Sequence, residues 1–191
     1  MQVNKEKKKL LFVGAFPKNS NTFGGNITAC NELMASDFSN KVDVLKLDST
    51  QQSHPLPGFF KRLFYAIKRL ILFFSILKNE KVDCILIFAA WGFSLVEKGV
   101  MARIAFYFKK PVLFFPRGGH LVETFNHSIF SRILTRFALK KSSKILCQGE
   151  AIKNICTNSL NFSKKNTPIV QNWTASNDLI EIGDKKNLKD F

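Results

Sequence analysis

Acidic residues are scarce in this chain: 14 Asp and Glu stand against 29 Lys and Arg, a formal charge of +15 over 191 residues. A surface this basic is drawn to polyanions, either nucleic acid or anionic lipid headgroups. A chain rich in Lys, Asn and Ser also reflects genomic base composition, which accounts for part of the excess. Cysteine is sparse as well. Cys30, Cys84, Cys147 and Cys156 form no CxxC and no Cys/His spacing, which excludes the common zinc sites. Cys84 and Cys147 fall inside apolar strand-like runs as small core hydrophobes, and all four fit a reducing cytosol as inert thiols. No apolar run reaches the roughly 20 residues of a transmembrane helix. The basic start passes into a short strand rather than a signal-peptide core. Neither GxGxxG nor Gly-Lys-Thr/Ser occurs, so the usual dinucleotide and P-loop fingerprints are missing. Trp and Tyr number 2 each, leaving 20 Phe to supply the aromatic mass.

The residues present alternate between apolar runs of strand length and segments of helical period, the α/β signature. Strands are expected near 9–15, 41–47, 82–88, 111–116, 143–148 and 168–171, with helices near 25–36, 57–79, 94–108, 127–140 and 150–158. Runs such as Cys84-Ile85-Leu86-Ile87-Phe88 are apolar throughout, as a parallel strand covered on both faces requires. The expectation is one Rossmann-like, doubly wound parallel sheet with helices on both faces, spanning residues 1–176. Residues 177–191 are polar and weakly periodic and read as a linker, or as the start of a further domain.

Several loops could carry chemistry at the carboxyl ends of these strands, where open α/β sheets bind ligands. The first strand leads through Pro17, Lys18 and Asn19 to Phe23-Gly24-Gly25 and a helix. Glycine there admits a close ligand, and a helix N-terminus suits phosphate, although any tight turn uses such a pair. The strand Pro111–Phe115 empties into Pro116-Arg117-Gly118-Gly119-His120. Arginine can bind carboxylate or phosphate; His120 is either a titratable group or a hydrogen-bonded structural residue. Gln148-Gly149-Glu150 opens another helix, where Glu150 can simply complement the dipole. Pro168-Ile169-Val170-Gln171-Asn172-Trp173 is a last short strand ending on Asn172. His54 and His127 read as bystanders.

The helix expected at 57–79 is basic and amphipathic. Lys61, Arg62, Lys68 and Arg69 recur at i, i+1, i+7 and i+8, on one helical face, with Phe59, Leu63, Ala66, Ile67, Leu70, Phe73, Phe74 and Leu77 opposite. It is either an ordinary helix with a solvated basic side or one that also touches an anionic membrane surface. Tyr65, Leu72 and Ile76 among the cations favour the second.

Taken in order over roughly residues 8–178, these motifs resemble the N-terminal half of a GT-B glycosyltransferase of the large family-4 type of retaining enzymes. The resemblance is carried by the Phe23-Gly24-Gly25 turn, the Pro116-Arg117-Gly118 strand end, and Lys144 to Glu150 with the following helix. The Pro168–Asn172 segment completes it. It implies an acceptor-binding domain whose first glycine loop faces the donor diphosphate. Arg117 and His120 are then the candidate catalytic residues, and Gly24, Gly25, Gly118, Gly119, Glu150 and Asn172 the candidate substrate- and diphosphate-binding ones. Many members place a His-Gly pair where Arg117-Gly118 stand here; aligned on the glycine, His120 falls further along. Asn172-Trp173 likewise replaces an Asn-Gly. The family's paired glutamates, eight positions apart in a second domain, have no counterpart among the Glu residues of this chain.

The expectation is therefore half of an enzyme that transfers sugar from a nucleotide-sugar donor to a glycan or lipid-linked acceptor. It is not expected to complete transfer without the missing donor-binding domain. Nothing in the pattern calls for a metal or another cofactor. The protein is expected in the cytoplasm, peripheral at the inner face of the membrane, in bacterial polysaccharide or lipid-linked glycan synthesis. The alternative is a membrane-docked α/β module that recruits a catalytic partner. Specific nucleic-acid binding ranks below both, because the charge is spread along the chain with no aromatic-basic interleaving of a known motif.

Overall fold

The structure, a computed structural model, describes residues 7–17, 22, 24–50 and 57–171. It is a doubly wound α/β fold. Five parallel strands, β1 (Lys9–Gly14), β2 (Asp43–Asp48), β3 (Cys84–Ala89), β4 (Val112–Pro116) and β5 (Lys144–Ile145), lie in the order β2-β1-β3-β4-β5. The helices are α1 (Gly25–Ala35), α2 (Phe38–Lys41), α3 (Phe59–Asn79), α4 (Phe93–Tyr107), α5 (His120–His127), α6 (Ile129–Leu139) and α7 (Glu150–Asn154). A π turn at Ile155–Ser159 continues α7.

The continuous apolar runs have the expected cause. Successive residues of one strand point to opposite faces, and both faces are covered. Leu11, Val13, Ile85, Ile87, Val112 and Phe114 pack under α3, α4 and α6, against Phe73, Leu77, Met101, Ala102 and Ala138. Leu10, Phe12, Leu86, Phe88 and Phe115 face the other way, toward Ala29 and Cys30 of α1. Phe12, Phe88 and Phe115 stack edge to face across three strands, at centroid separations of 4.8 and 5.2 Å. Each such contact adds about 0.5–1.5 kcal/mol to the burial itself.

Three local expectations differ. The strand expected at 168–171 is reduced to one bridge, Cys147 to Ile169, and β5 is two residues long. The segment after Arg117, read as a loop, contains α5: Gly118 at φ +128° turns the chain from β4 into that helix. Helix α4 approaches α6 closely at Gly99, where an added Cβ would lie 2.6 Å from the Cα of Ala138. The linker expected at 177–191 lies outside the described residues.

Candidate functional site

Strand order places the site. β1 runs into α1 on one face of the sheet, and its neighbour β3 runs into α4 on the other. The crevice between two such diverging connections is where doubly wound sheets bind ligands. A cavity of about 260 Å³ occupies it, lined by Ala15 after β1, Gly24, Gly25 and Asn26 at the start of α1, and Ser49 and Thr50 after β2. Phe88 and Ala90 at the end of β3, Ser94 in the first turn of α4, Thr22 and Ile27 complete it.

Each wall has a local cause. Ser49 donates through both N and Oγ to the Gly14 carbonyl, at 2.7 and 3.0 Å, which ties the exit of β2 to β1. The Asp48 carboxylate accepts from the backbone N of Phe16 at 3.0 Å and of Thr50 at 2.8 Å. Cys30 of α1 comes so close to Gly14 that a Cβ there would meet its Sγ at 2.8 Å. Gly92, at φ +78°, makes the sharp turn from β3 into α4, a conformation that favours glycine.

The chemistry of the lining is neutral and hydroxyl-rich. No lining residue carries a charge. The first turns of α1 and α4 hold no acid, and no side chain caps either helix. Two positive dipole ends therefore point at one cavity walled by four hydroxyls and an amide. Such a site can take a phosphate at the backbone N–H groups and sugar hydroxyls at Ser, Thr and Asn.

The expected site residues divide. Gly24 and Gly25 line the cavity. Arg117 does not line it; it is buried, with its guanidinium over the rings of Phe88 and Phe115 at 5.3 and 5.1 Å. Burial lowers its pKa from the ordinary value, with Cys30 opposing. Burial also pushes the Cys30 thiol up to about 11, with Ala15 N and Arg117 opposing. Gly118, Gly119 and His120 belong instead to the β4 exit, where Gly118 N donates to Gln148 Oε1 at 3.1 Å. His120 is exposed, its Nδ1 3.4 Å from Glu123, and does not line the cavity. Glu150 is in the first turn of α7 and pairs with Lys153 at 3.2 Å, the plain role open to it in the sequence. Asn172, Lys18, Phe23 and His54 lie outside the described residues. Sequence reasoning missed Ser49, Thr50 and Ser94; the signal available was a second strand–Gly–helix pattern at Trp91-Gly92-Phe93-Ser94.

The four cations of α3 also separate. Lys61 and Lys68 are exposed, Lys68 over the Phe64 ring at 4.6 Å. Arg69 turns inward, with Nε and Nη2 donating to the Glu97 carboxylate of α4 at 2.6 and 2.9 Å. Lys98 Nζ reaches the same carboxylate at 3.3 Å, and both side chains of that pair are 1% exposed. Burial pulls the Lys98 ammonium below 10.5, with Glu97 opposing. Arg62 also turns toward α4, over the Phe93 ring at 5.4 Å. Outward from α3, Phe60, Phe64, Ile67, Ile71 and Phe74 are exposed, at spacings of four, three, four and three residues. No described helix is long and apolar enough to cross a membrane, and no cluster of ligating side chains fit for a metal occurs among the described residues.

No family model matches the chain, and no curated protein does. Among solved structures, a conserved protein from Enterococcus faecalis V583 is similar over 94% of this chain and 99% of its own, at 12% identity and a TM-score of 0.33. Likeness at that level carries no argument about function.

Proposed function

We propose that this chain is the acceptor-binding half of a family-4-like glycosyltransferase, working at an anionic membrane surface in bacterial polysaccharide or lipid-linked glycan assembly. The observation that carries the reading is the cavity at the β1/β3 switch point, where two acid-free helix N-termini meet a hydroxyl-lined wall. Sugar transfer from a nucleotide sugar needs a seat for a departing diphosphate and neutral hydrogen-bonding groups for sugar hydroxyls. Backbone N–H groups at Gly24 and Gly25 supply the first by preorganised electrostatics. Ser49, Thr50, Ser94 and Asn26 supply the second. The cavity falls just under the roughly 300–1,000 Å³ of complete small-molecule sites, as suits one wall of a cleft that a donor-binding domain closes.

The membrane part of the reading rests on α3. Its outward apolar stripe is flanked by Lys61 and Lys68, and residues 59–79 contain no acid. A second copy of the helix laid on that stripe would oppose lysine to lysine, whereas anionic headgroups are attracted by about 1 kcal/mol per cation. The same face favours a second reading, a membrane-docked module that recruits a catalytic partner.

The test is transfer of labelled sugar from nucleotide sugars to a membrane-extracted acceptor, with a donor-binding half supplied in trans. Transfer that requires both halves supports the proposal. A stable complex of the two halves on vesicles, with no transfer to any acceptor, rejects it in favour of the recruitment module.

A further inference from the structure

Arg62 turns into the α3–α4 junction with no acid partner among the described residues. Seven residues further along the same stripe, Arg69 takes both oxygens of Glu97 in a forked pair, and Lys98 takes the second oxygen as well. That carboxylate is spent. The other acids between residues 59 and 116 are Glu80 and Asp83; Glu80 pairs with the Lys9 ammonium, while Asp83 accepts from Lys9 N and pairs with Lys8. Arg62 Nε is shielded from solvent and has no hydrogen-bond partner, although a buried N–H normally finds one. Its guanidinium carbon is 5.4 Å from the ring centroid of Phe93, the first residue of α4, whose N-terminus has neither a side-chain cap nor an acid in its first turn. An anion placed there meets a guanidinium fork and a helix dipole together.

The surroundings say what kind of anion. Phe59 packs on Phe60 and on Phe93 at centroid separations of 5.8 and 6.3 Å. Phe59 and Phe60 are nonetheless 62% and 84% exposed, and Phe60 begins the outward apolar stripe of α3. A phosphate at Arg62 therefore has apolar aromatic surface on its membrane side. Ser94, the residue after Phe93, lines the switch-point cavity. We infer that Arg62 and the start of α4 form a seat for the phosphate headgroup of an amphiphile, its chain lying along Phe59 and Phe60. Resting on the acceptor-half reading, the seat makes the acceptor a lipid phosphate whose polar end reaches the cavity.

Binding at this seat is measurable without any sugar transfer, so the two readings fail separately. The probe is dihexanoyl phosphatidic acid below its micelle concentration, added to the full chain with ¹⁵N-labelled arginine. The readout is the Arg62 Nε–H resonance, assigned by its loss in Arg62→Lys. The expected result is a saturable shift of that resonance. Titration calorimetry with the same lipid reads the variants, in which the Arg62 signal is lost: Arg62→Gln should weaken binding about tenfold, the worth of one charge-assisted hydrogen bond, and Lys61→Gln less than twofold. Inorganic phosphate should bind at least tenfold more weakly than the lipid. Equal losses in Arg62→Gln and Lys61→Gln would reduce the effect to general surface charge and overturn the seat. An equally strong response to inorganic phosphate would assign the site to a free phosphate instead, and an unmoved Arg62 resonance would reject it. Should Arg62→Gln not fold, the wild-type shift and its comparison with phosphate still decide.

Discussion

Replacing Glu97 by alanine should destabilise the fold more than any conservative core change. The carboxylate is 1% exposed and is held at 2.6 Å by Arg69 and at 3.3 Å by Lys98, so its removal strands two cations in a largely dry interface. Breaking a buried pair by deleting one partner costs about 3–5 kcal/mol. Against a total stability of about 5–15 kcal/mol, the variant should remain folded but marginal. With a urea m-value of about 2 kcal/mol per molar, the midpoint seen by far-UV circular dichroism should fall by about 1.5–2.5 M. The loss should also depend on pH. Burial already lowers the Lys98 pKa from 10.5 and Glu97 opposes that shift; without Glu97 the pKa falls further. Between the folded value and 10.5 the unfolded chain binds the extra proton, so stability rises with pH in that window. The Glu97→Ala penalty should accordingly be larger at pH 5.5 than at pH 9. Replacing the whole triad (Arg69→Met, Glu97→Leu, Lys98→Met) leaves no stranded charge and should be neutral or stabilising by about 1–4 kcal/mol. A Glu97→Ala loss below about 1 kcal/mol, or a triple variant as unstable as the single one, would refute the reasoning.

Gly99→Ala would gain about 1 kcal/mol in an exposed helix. Here its Cβ would press on the backbone of Ala138 at 2.6 Å, so overpacking should win and lower stability by a net 1–2 kcal/mol, measured by urea unfolding. Gly25→Asp meets open space at its Cβ and adds an acid to the first turn of α1. It should hold or raise the melting temperature by calorimetry while reducing sugar transfer in the two-half assay at least tenfold. Phe64→Glu with Ile71→Glu, both on the exposed stripe, should abolish co-sedimentation with phosphatidylglycerol vesicles. The urea midpoint should barely move, as for other surface changes. Burial raises the Cys30 pKa from 9.0 to about 11. Its contribution is fully present below pH 9.0 and is lost as pH rises through about 11. The difference in unfolding free energy between the wild type and Cys30→Ala should thus shrink by about 2–3 kcal/mol from pH 9 to 11.

The parallel sheet was legible because its cause is local: Cys84 to Phe88 and Val112 to Phe115 are apolar at every position, which only two covered faces require. Gly24-Gly25 was legible for the same reason, a strand, a turn and a helix in one short stretch. The other walls of the cavity were not. Ser49, Thr50 and Ser94 leave different strands, and they meet because β1 lies between β2 and β3, an order that no local pattern encodes. The four cations of α3 show the same limit within a single helix. Their spacing puts Lys61, Arg62, Lys68 and Arg69 on one side, yet apolar residues surround the helix and leave open which stripe is buried. That choice is made by α4, whose Glu97 draws in Arg69 from 28 positions away. Arg62 follows onto the same stripe, where no carboxylate among the described residues pairs with it. The inward turn of Arg62 over Phe93 is thus a by-product of long-range packing, which its place in the sequence does not announce.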